Sequence, residues 1–268
     1  MATIVCFHAH PDDECIVTGG VIARYSDAGH RVVLVYATRG EHGEVPDGYL
    51  DDGEALWERR MKEVHAAADV LGAARLAFLG YVDSGMMGTP ENEAPESFWQ
   101  ADIDDAAARL ADLLREESAD VLVVYDENGN YGHPDHIQVH RVGVRAADLA
   151  GTAKVYEATM NRDHVKRGIA AAREAGVITP DMDAAPDDPF IDSLGVPEDQ
   201  LTHAIDVRDL ADRKRASMRA HGSQIADTSF FLAMPDEVFE DQFGREWFIR
   251  RGVPARAPDD WYDDLLVP

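Results

Sequence analysis

The stretch IVCFHAHPDDECIVTGGVIARYSDAGHRVVLVYAT, residues 4–38, contains the clearest indication of the fold of this chain. The apolar run at 4–7 predicts a buried strand, and residues 14–28 predict a helix that Gly29 ends. The run RVVLVYAT at 31–38 predicts a second buried strand. A strand, a helix and another strand in this order are typical of a βαβ unit with parallel strands.

The alternation of helices and strands continues through the first 160 residues. Helices are predicted at 54–71 and 102–117, and strands at 76–79, 120–125 and 154–159. The run DVLVVY at 120–125 is almost wholly apolar, as in strands of parallel sheets that are covered on both faces. We therefore expect an α/β fold: a Rossmann-like, doubly wound, mostly parallel sheet with helices on both faces and a C-terminal extension.

The chain is expected to consist of a core and a C-terminal portion. Residues 1–160 form the predicted Rossmann-like catalytic core, and residues 161–268 are expected to pack on the same domain. Within the C-terminal portion, residues 176–200 are rich in Pro, Asp and Gly and show no periodicity, which indicates a lid or an insertion. A helix over 208–221 and the run EWFIRR at 246–251 indicate a return to the main body.

The composition argues against polyanionic partners. Lys and Arg number 25 against 51 Asp and Glu, so the formal net charge is -26, which repels nucleic acids and anionic lipids. The charge indicates a soluble acidic surface, and adaptation to high salt is a second explanation of it. The two cysteines make no disulfide framework. The first residues lead directly into a strand, and no apolar run approaches membrane-spanning length, so we expect a cytoplasmic protein without nucleic acid or membrane partners. The composition leaves the oligomeric state open.

Ionisable residues gather after two predicted strands. The first cluster follows 4–7 and contains His8, His10, Asp12, Asp13 and Glu14, and the second is YDENGNYGHPDH at 125–136. Because ligands of open parallel sheets bind beyond the carboxyl ends of the strands, we expect both clusters in one crevice. Two histidines and one carboxylate would suffice for a zinc ion with an open position for water.

The spacing within the clusters suits metal-assisted hydrolysis. His133 and His136 flank Pro134 at a predicted helix start, which places both imidazoles near one helical face. The adjacent Asp12 and Asp13 cannot easily point the same way, so one can bind the metal while the other faces the bound water as a base. A nearby imidazolium would stabilise the oxyanion. Hydrolysis of an amide needs these functions.

The motifs AHPDDE at 9–14 and GHPDH at 132–136, each after a strand, together resemble the PIG-L/LmbE family of zinc-dependent de-N-acetylases. This family includes deacetylases and amidases of the mycothiol pathway. The resemblance covers the first 150 residues and continues more loosely through RAHGSQI at 219–225. It implies one divalent ion per chain, zinc with Fe(II) as the alternative. The implied metal ligands are His10, Asp13 and His136.

The resemblance also implies catalytic and binding roles. Asp12 is implied as the general base, and His133 as the electrostatic or acid catalyst. Tyr131 resembles a mobile tyrosine that helps to hold the tetrahedral intermediate. Asp135 and Glu14 are implied to contact the metal ligands and fix their orientation. Glu14 could instead only stabilise the N-terminus of its helix through the helix dipole. The implied sugar-binding residues, in or near the GEHGE loop at 40–44 and DSGM at 83–86, are Glu44, Arg60, Asp83 and Met86.

We expect a metal-dependent amidohydrolase that removes the acetyl group from an N-acetylglucosamine-type sugar or pseudodisaccharide. One alternative is a mycothiol S-conjugate amidase. Members that cleave such conjugates tend to carry a lysine where this chain has Val17, yet YDENGNYGHPDH, VDSG and RAHGSQI resemble the amidase branch more closely. A more distant alternative is another metal-dependent hydrolase such as a phosphoesterase, for which few cations lie near the motifs. His8 and Cys15 are expected to be structural, and His221 is a candidate for the cleft wall.

Overall fold

The computed structural model describes residues 1–174 and 187–267. The first strand, β1 (Thr3–His8), leads into helices α1 (Asp13–Val17) and α2 (Gly19–Asp27), which β2 (Arg31–Tyr36) follows. The single helix predicted over 14–28 is therefore wrong in one respect, because it breaks at Thr18, where φ is −134°. The Thr18 hydroxyl hydrogen-bonds to the carbonyl of Glu14 and lies 3.3 Å from His8 Nε2, and such side-chain bonds compete with regular helix.

The other regular elements follow the predicted alternation. The remaining α-helices of the described ranges are α3 (Leu56–Leu71), α4 (Ile103–Glu116), α5 (Gly129–Gly132), α6 (Pro134–Ala150), α7 (Arg162–Glu174), α8 (Pro189–Ser193), α9 (Ala211–Ala220), α10 (Phe230–Ala233) and α11 (Asp236–Phe243). The remaining strands there are β3 (Arg75–Phe78), β4 (Val121–Tyr125), β5 (Lys154–Thr159), β6 (His203–Asp206) and β7 (Arg245–Arg250). Within 1–174 and 187–267, every helix is too short or too polar to cross a bilayer.

The seven strands form one sheet in the order β3-β2-β1-β4-β5-β7-β6. The first five strands are parallel, whereas β7 pairs antiparallel with both β5 and β6. The predicted mostly parallel, doubly wound sheet is confirmed. The strand order reverses between β1 and β4, which places the topological switch point at the ends of these two strands.

Each face of the sheet carries its own apolar core. Ile4 and Cys6 of β1 belong to the core with α2 and α3. Val5 and Phe7, which alternate with them, belong to the core with α4 and α6. Because both faces of β1 and β4 are covered, these strands need apolar residues at successive positions, which explains the continuous runs in the sequence.

The C-terminal residues continue the same sheet, because β7 pairs directly with β5. The boundary proposed between 160 and 161 stays a prediction. Of the predicted lid at 176–200, residues 176–186 lie outside the described residues. The described remainder contains α8 and then contacts the short helix α5 after β4, where the Gly195 N–H donates to the carbonyl of Asn130 at 2.7 Å.

Glu246 of β7 connects the C-terminal strands to the start of α2. Its carboxylate accepts the N–H groups of Gly20 and Val21, both at 2.8 Å, and the ammonium of Lys214 at 2.6 Å. The Lys214 and Glu246 side chains are each 2% exposed. We expect Glu246→Ala to lower the free energy of unfolding by about 3–5 kcal/mol, because it leaves a buried ammonium without its partner.

Urea denaturation measures this loss. Asp104→Ala, which removes the partner of Arg145 from an exposed ion pair, is the matched control and is expected to leave the unfolding free energy nearly unchanged. Equal effects of the two substitutions would contradict the role given to Glu246.

Candidate active site

The carboxyl ends of β1 and β4 bring the two histidine motifs into one crevice. His10, Asp13 and His136 each offer a ligand atom, and these atoms all lie within 4.8 Å of one another. Asp13 Oδ1 is 3.3 Å from His136 Nε2, and Asp13 Oδ2 is 3.5 Å from His10 Nδ1. All three residues are buried. Strands far apart in sequence thus place three candidate ligands around one point.

The chemistry of this group fits a divalent ion. Both ring nitrogens of His136 are buried and make no well-directed hydrogen bond in the described part of the chain, although Nε2 lies 3.3 Å from Asp13 Oδ1. A buried polar atom without a partner costs free energy, and an ion bound by Nε2 would remove that cost. Two imidazoles and one carboxylate are donors that suit zinc with an open position, and they also suit Fe(II).

Carboxylates behind His10 orient its ring. His10 Nε2 is 3.1 Å from Asp135 Oδ2 and 3.5 Å from Asp83 Oδ1, so the opposite nitrogen, Nδ1, lies on the side of Asp13. Burial by itself lowers the pKa of His10, but the neighbouring carboxylates raise it well above its usual value. Asp135 also accepts hydrogen bonds from the backbone N–H and the hydroxyl of Ser84. Ser84 was missed from the sequence, although it lies inside the DSGM motif.

The adjacent carboxylates of Asp12 and Asp13 diverge, as their spacing predicts. Asp13 faces the two histidines, whereas Asp12 Oδ1 lies 3.2 Å from a guanidinium nitrogen of Arg60. Burial raises the pKa of Asp12 to about 6, although the charge of Arg60 opposes the shift. A carboxylate with this pKa is mostly ionised at neutral pH and can still take up a proton, as a general base must.

Arg60 lies beneath the GEHGE loop at 40–44. Its side chain is 3% exposed and donates to the carbonyl of Gly40 at 3.0 Å and to the carbonyl of Pro11. Gly40 has a φ of 67°, and a Cβ there would lie 2.2 Å from Arg60 Nη1. The loop can therefore pack this closely only with glycine at 40. These contacts position Asp12, and sugar binding by Arg60 stays a prediction.

His133 begins α6 and presents a defined tautomer. Its Nδ1 accepts the backbone N–H of Asp135 at 3.1 Å, so the proton of the neutral ring lies on Nε2. Burial and the neighbouring His10 and His136 lower the pKa of His133 to about 3. The geometry thus favours a neutral imidazole that donates from Nε2 over the imidazolium expected from the sequence. The ring of Tyr131, which is 37% exposed, has its centroid 6.2 Å from that of His133.

The predicted sugar-binding residues differ in exposure. Asp83 is buried, and its carboxylate accepts the N–H groups of His42 at 3.2 Å and Gly85 at 2.8 Å. Its carboxylate also lies 3.5 Å from His10 Nε2, so Asp83 contacts a candidate metal ligand. Glu44 and Met86 are exposed on loops. Their contact with a sugar stays a prediction.

His221 is not in the cleft wall, the position for which the sequence made it a candidate. The side chain is fully buried, and Nε2 lies 2.6 Å from Glu14 Oε1. Glu14 is fully buried as well, so it does more than favour a helix N-terminus. His8 contacts Tyr125 and Cys15 is buried, both consistent with structural roles.

Comparison with known proteins gives matches over nearly the whole chain. The family described as PIG-L, GlcNAc-PI de-N-acetylase, matches residues 5–147. The curated 1D-myo-inositol 2-acetamido-2-deoxy-alpha-D-glucopyranoside deacetylase of Acidothermus cellulolyticus is 44% identical over 282 aligned residues, which cover 99% of this chain and 94% of that protein. The protein of the same name from Geodermatophilus obscurus is 41% identical, with 98% and 97% coverage.

A solved structure shares the architecture. The N,N'-diacetylchitobiose deacetylase from Pyrococcus horikoshii aligns with a TM-score of 0.55 at 22% identity, over 92% of this chain and 83% of that chain. At this identity the likeness supports the fold alone, because one fold hosts many reactions. The chemistry therefore has to be argued from the site and from the closer relatives.

Proposed function

This chain belongs to the PIG-L family of GlcNAc-PI de-N-acetylases, and from that membership we propose that it removes the acetyl group from an N-acetylglucosaminyl-inositol pseudodisaccharide. It is a hydrolase of an N-acetyl amide, the activity in the names of its relatives. The observation that carries the proposal is the meeting of His10, Asp13 and His136, with the carboxylate of Asp12 beside them.

The relatives support the choice of sugar. Those at 44% and 41% identity are named for an acetamido sugar attached to inositol, and both align over nearly their whole length. An uncharged sugar also suits a chain of net charge -26, which would repel an anionic substrate. Glu44 offers a carboxylate acceptor for hydroxyl groups, and Met86 offers apolar surface for a sugar ring. The cytoplasmic location stays a prediction.

The side chains around the candidate metal site have separate roles in the proposed amide hydrolysis: metal binding, proton transfer and positioning of the base. A zinc ion, or Fe(II) as the alternative, held by His10, Asp13 and His136 would polarise the amide carbonyl and lower the pKa of a water. Asp12 takes the proton from the attacking water while Arg60 holds its carboxylate. Water oxygen bonds to the carbonyl carbon, which converts the carbonyl oxygen into an oxyanion.

His133 and Tyr131 then act on the oxyanion. The Nε2–H of the neutral His133 donates a hydrogen bond to it, and the Tyr131 hydroxyl is a second donor, because burial raises the pKa of Tyr131 and keeps it protonated. The C–N bond breaks as Asp12 returns its proton to the sugar nitrogen. The acyl product is acetic acid, which gives its proton to the solvent or to the amine, so acetate and the amine leave and Asp12 is again ionised.

Release of acetate from N-acetylglucosaminyl-inositol by enzyme of measured metal content tests the proposal. We expect acetate and free amine in equal amounts. A mycothiol S-conjugate analogue and p-nitrophenyl phosphate, assayed in parallel, should remain intact. Cleavage of the conjugate alone would replace the proposal with the amidase, and release of nitrophenol alone would replace it with a phosphoesterase. If metal-loaded protein cleaves none of them, the substrate class is wrong.

A further inference from the structure

Asp12 has a backbone conformation that its side chain does not favour. Its φ is 112° and its ψ is −29°, in a region that L-residues other than glycine rarely adopt. Such a conformation costs on the order of 1–3 kcal/mol and persists only where surrounding contacts hold it. The residue that we assign as the general base is therefore held in place by its neighbours.

The peptide groups on both sides of Asp12 are held by buried side chains. Glu14 Oε2 accepts the N–H of Asp12 at 2.9 Å. Cys15 donates to the carbonyl of Asp12 from its backbone N–H at 3.2 Å and from its thiol at 2.9 Å. Arg60 donates to the carbonyl of Pro11. Of these holding groups, Glu14 is the one that is hydrogen-bonded to the distant C-terminal portion of the chain.

Glu14 depends on His221. Its second oxygen, Oε1, is 2.6 Å from His221 Nε2, and both side chains have no exposed surface. Two residues further on, Ser223 is anchored to α3 because Glu63 accepts its backbone N–H at 2.8 Å and its hydroxyl at 2.6 Å. The loop after α9 is thus a rigid support that presents His221 to Glu14.

We propose that His221 is a positioning residue that holds Asp12 in its reactive orientation through Glu14. This inference rests on the proposed function, in which Asp12 is the base. Without the His221 donor, the buried Glu14 carboxylate loses its strongest partner and can leave the Asp12 N–H. Asp12 then relaxes toward a common backbone conformation, which moves its carboxylate from the place where the water is activated.

Kinetics of two His221 variants and one control test the proposal. His221→Ala removes the donor, whereas His221→Gln keeps an amide N–H near the position of Nε2. His203→Ala is the matched control, because His203 is also a fully buried histidine of the C-terminal portion but lies against Thr202 and Tyr156. We expect His221→Ala to lower kcat about 10–100-fold at unchanged KM and metal content, and His221→Gln to restore most of it.

Exchange of the Asp12 amide proton, followed by NMR, tests the same chain of contacts without substrate. We expect roughly tenfold faster exchange in His221→Ala and no change in His203→Ala, because only the former frees the N–H from Glu14. This readout stands even if the wild type releases no acetate, in which case the proposed function alone fails. Equal kinetic losses in His221→Ala and His203→Ala, no rescue by glutamine, or unchanged exchange would each overturn the positioning role. If His221→Ala does not fold, the exchange rate of the Asp12 amide proton and kcat are measured in His221→Gln, and values close to those of the wild type are expected.

Discussion

Asp12→Asn is expected to lower kcat for acetate release by roughly 10²–10⁴-fold while the protein keeps its metal. The carboxylate of Asp12 is not one of the three candidate ligands and lies 3.2 Å from Arg60, so the amide of asparagine leaves the metal group intact. Asparagine also tolerates a positive φ better than alanine, so the variant keeps the backbone of position 12. What it cannot do is accept a proton from water near neutral pH.

Metal analysis of the purified variant, together with initial rates at saturating substrate, measures this effect. Asp13→Asn is the matched control, because it makes the same chemical change at the next residue but weakens a ligand, so it should lose metal together with activity. If Asp12→Asn retains a third or more of the wild-type kcat, another residue is the base. If it loses its metal, Asp12 is a ligand, and the roles of general base and metal ligand assigned to Asp12 and Asp13 have to be exchanged.

His136→Ala is expected to abolish stoichiometric metal binding and to lower activity by roughly 10³-fold, the effect of losing several kcal/mol of transition-state stabilisation. Neither nitrogen of the buried His136 imidazole makes a well-directed hydrogen bond among the residues that the structure describes, and an ion bound between Nε2 and Asp13 would satisfy Nε2. Zinc should therefore raise the melting temperature of the metal-depleted wild type, because a ligand that binds only the folded state stabilises it.

Calorimetry with and without zinc, and metal analysis after dialysis, check this expectation. His133→Ala is the matched control, since its Nδ1 caps α6 and its ring is a proposed oxyanion donor; it should bind metal normally and lose only kcat. A His136→Ala variant that binds one ion with unchanged affinity would contradict the ligand set. The same zinc-induced rise in melting temperature for wild type and His136→Ala would do so as well.

Much of the fold could be predicted from local patterns. The runs that became β1, β2 and β4 are apolar at successive positions, because strands buried on both faces leave no position for polar residues. The break of the first helix at Thr18 could not be read from periodicity. It depends on a hydroxyl that contacts the carbonyl of Glu14 and, across the fold, His8.

The candidate site also combines features that local sequence patterns predict with contacts that form only when distant segments pack together. The alternation of strands and helices, and the place of AHPDDE and GHPDH at two strand ends, could be predicted from local patterns, since periodicity and turn chemistry act between near neighbours. The contacts of Arg60 with Asp12, of Ser84 with Asp135 and of His221 with Glu14 are created by tertiary packing. Residues 14 and 221 are 207 positions apart, and their contact depends on how α9 packs against α1 and α3. No local pattern carries that information, because a buried ion pair is created by packing and leaves no periodicity in either segment.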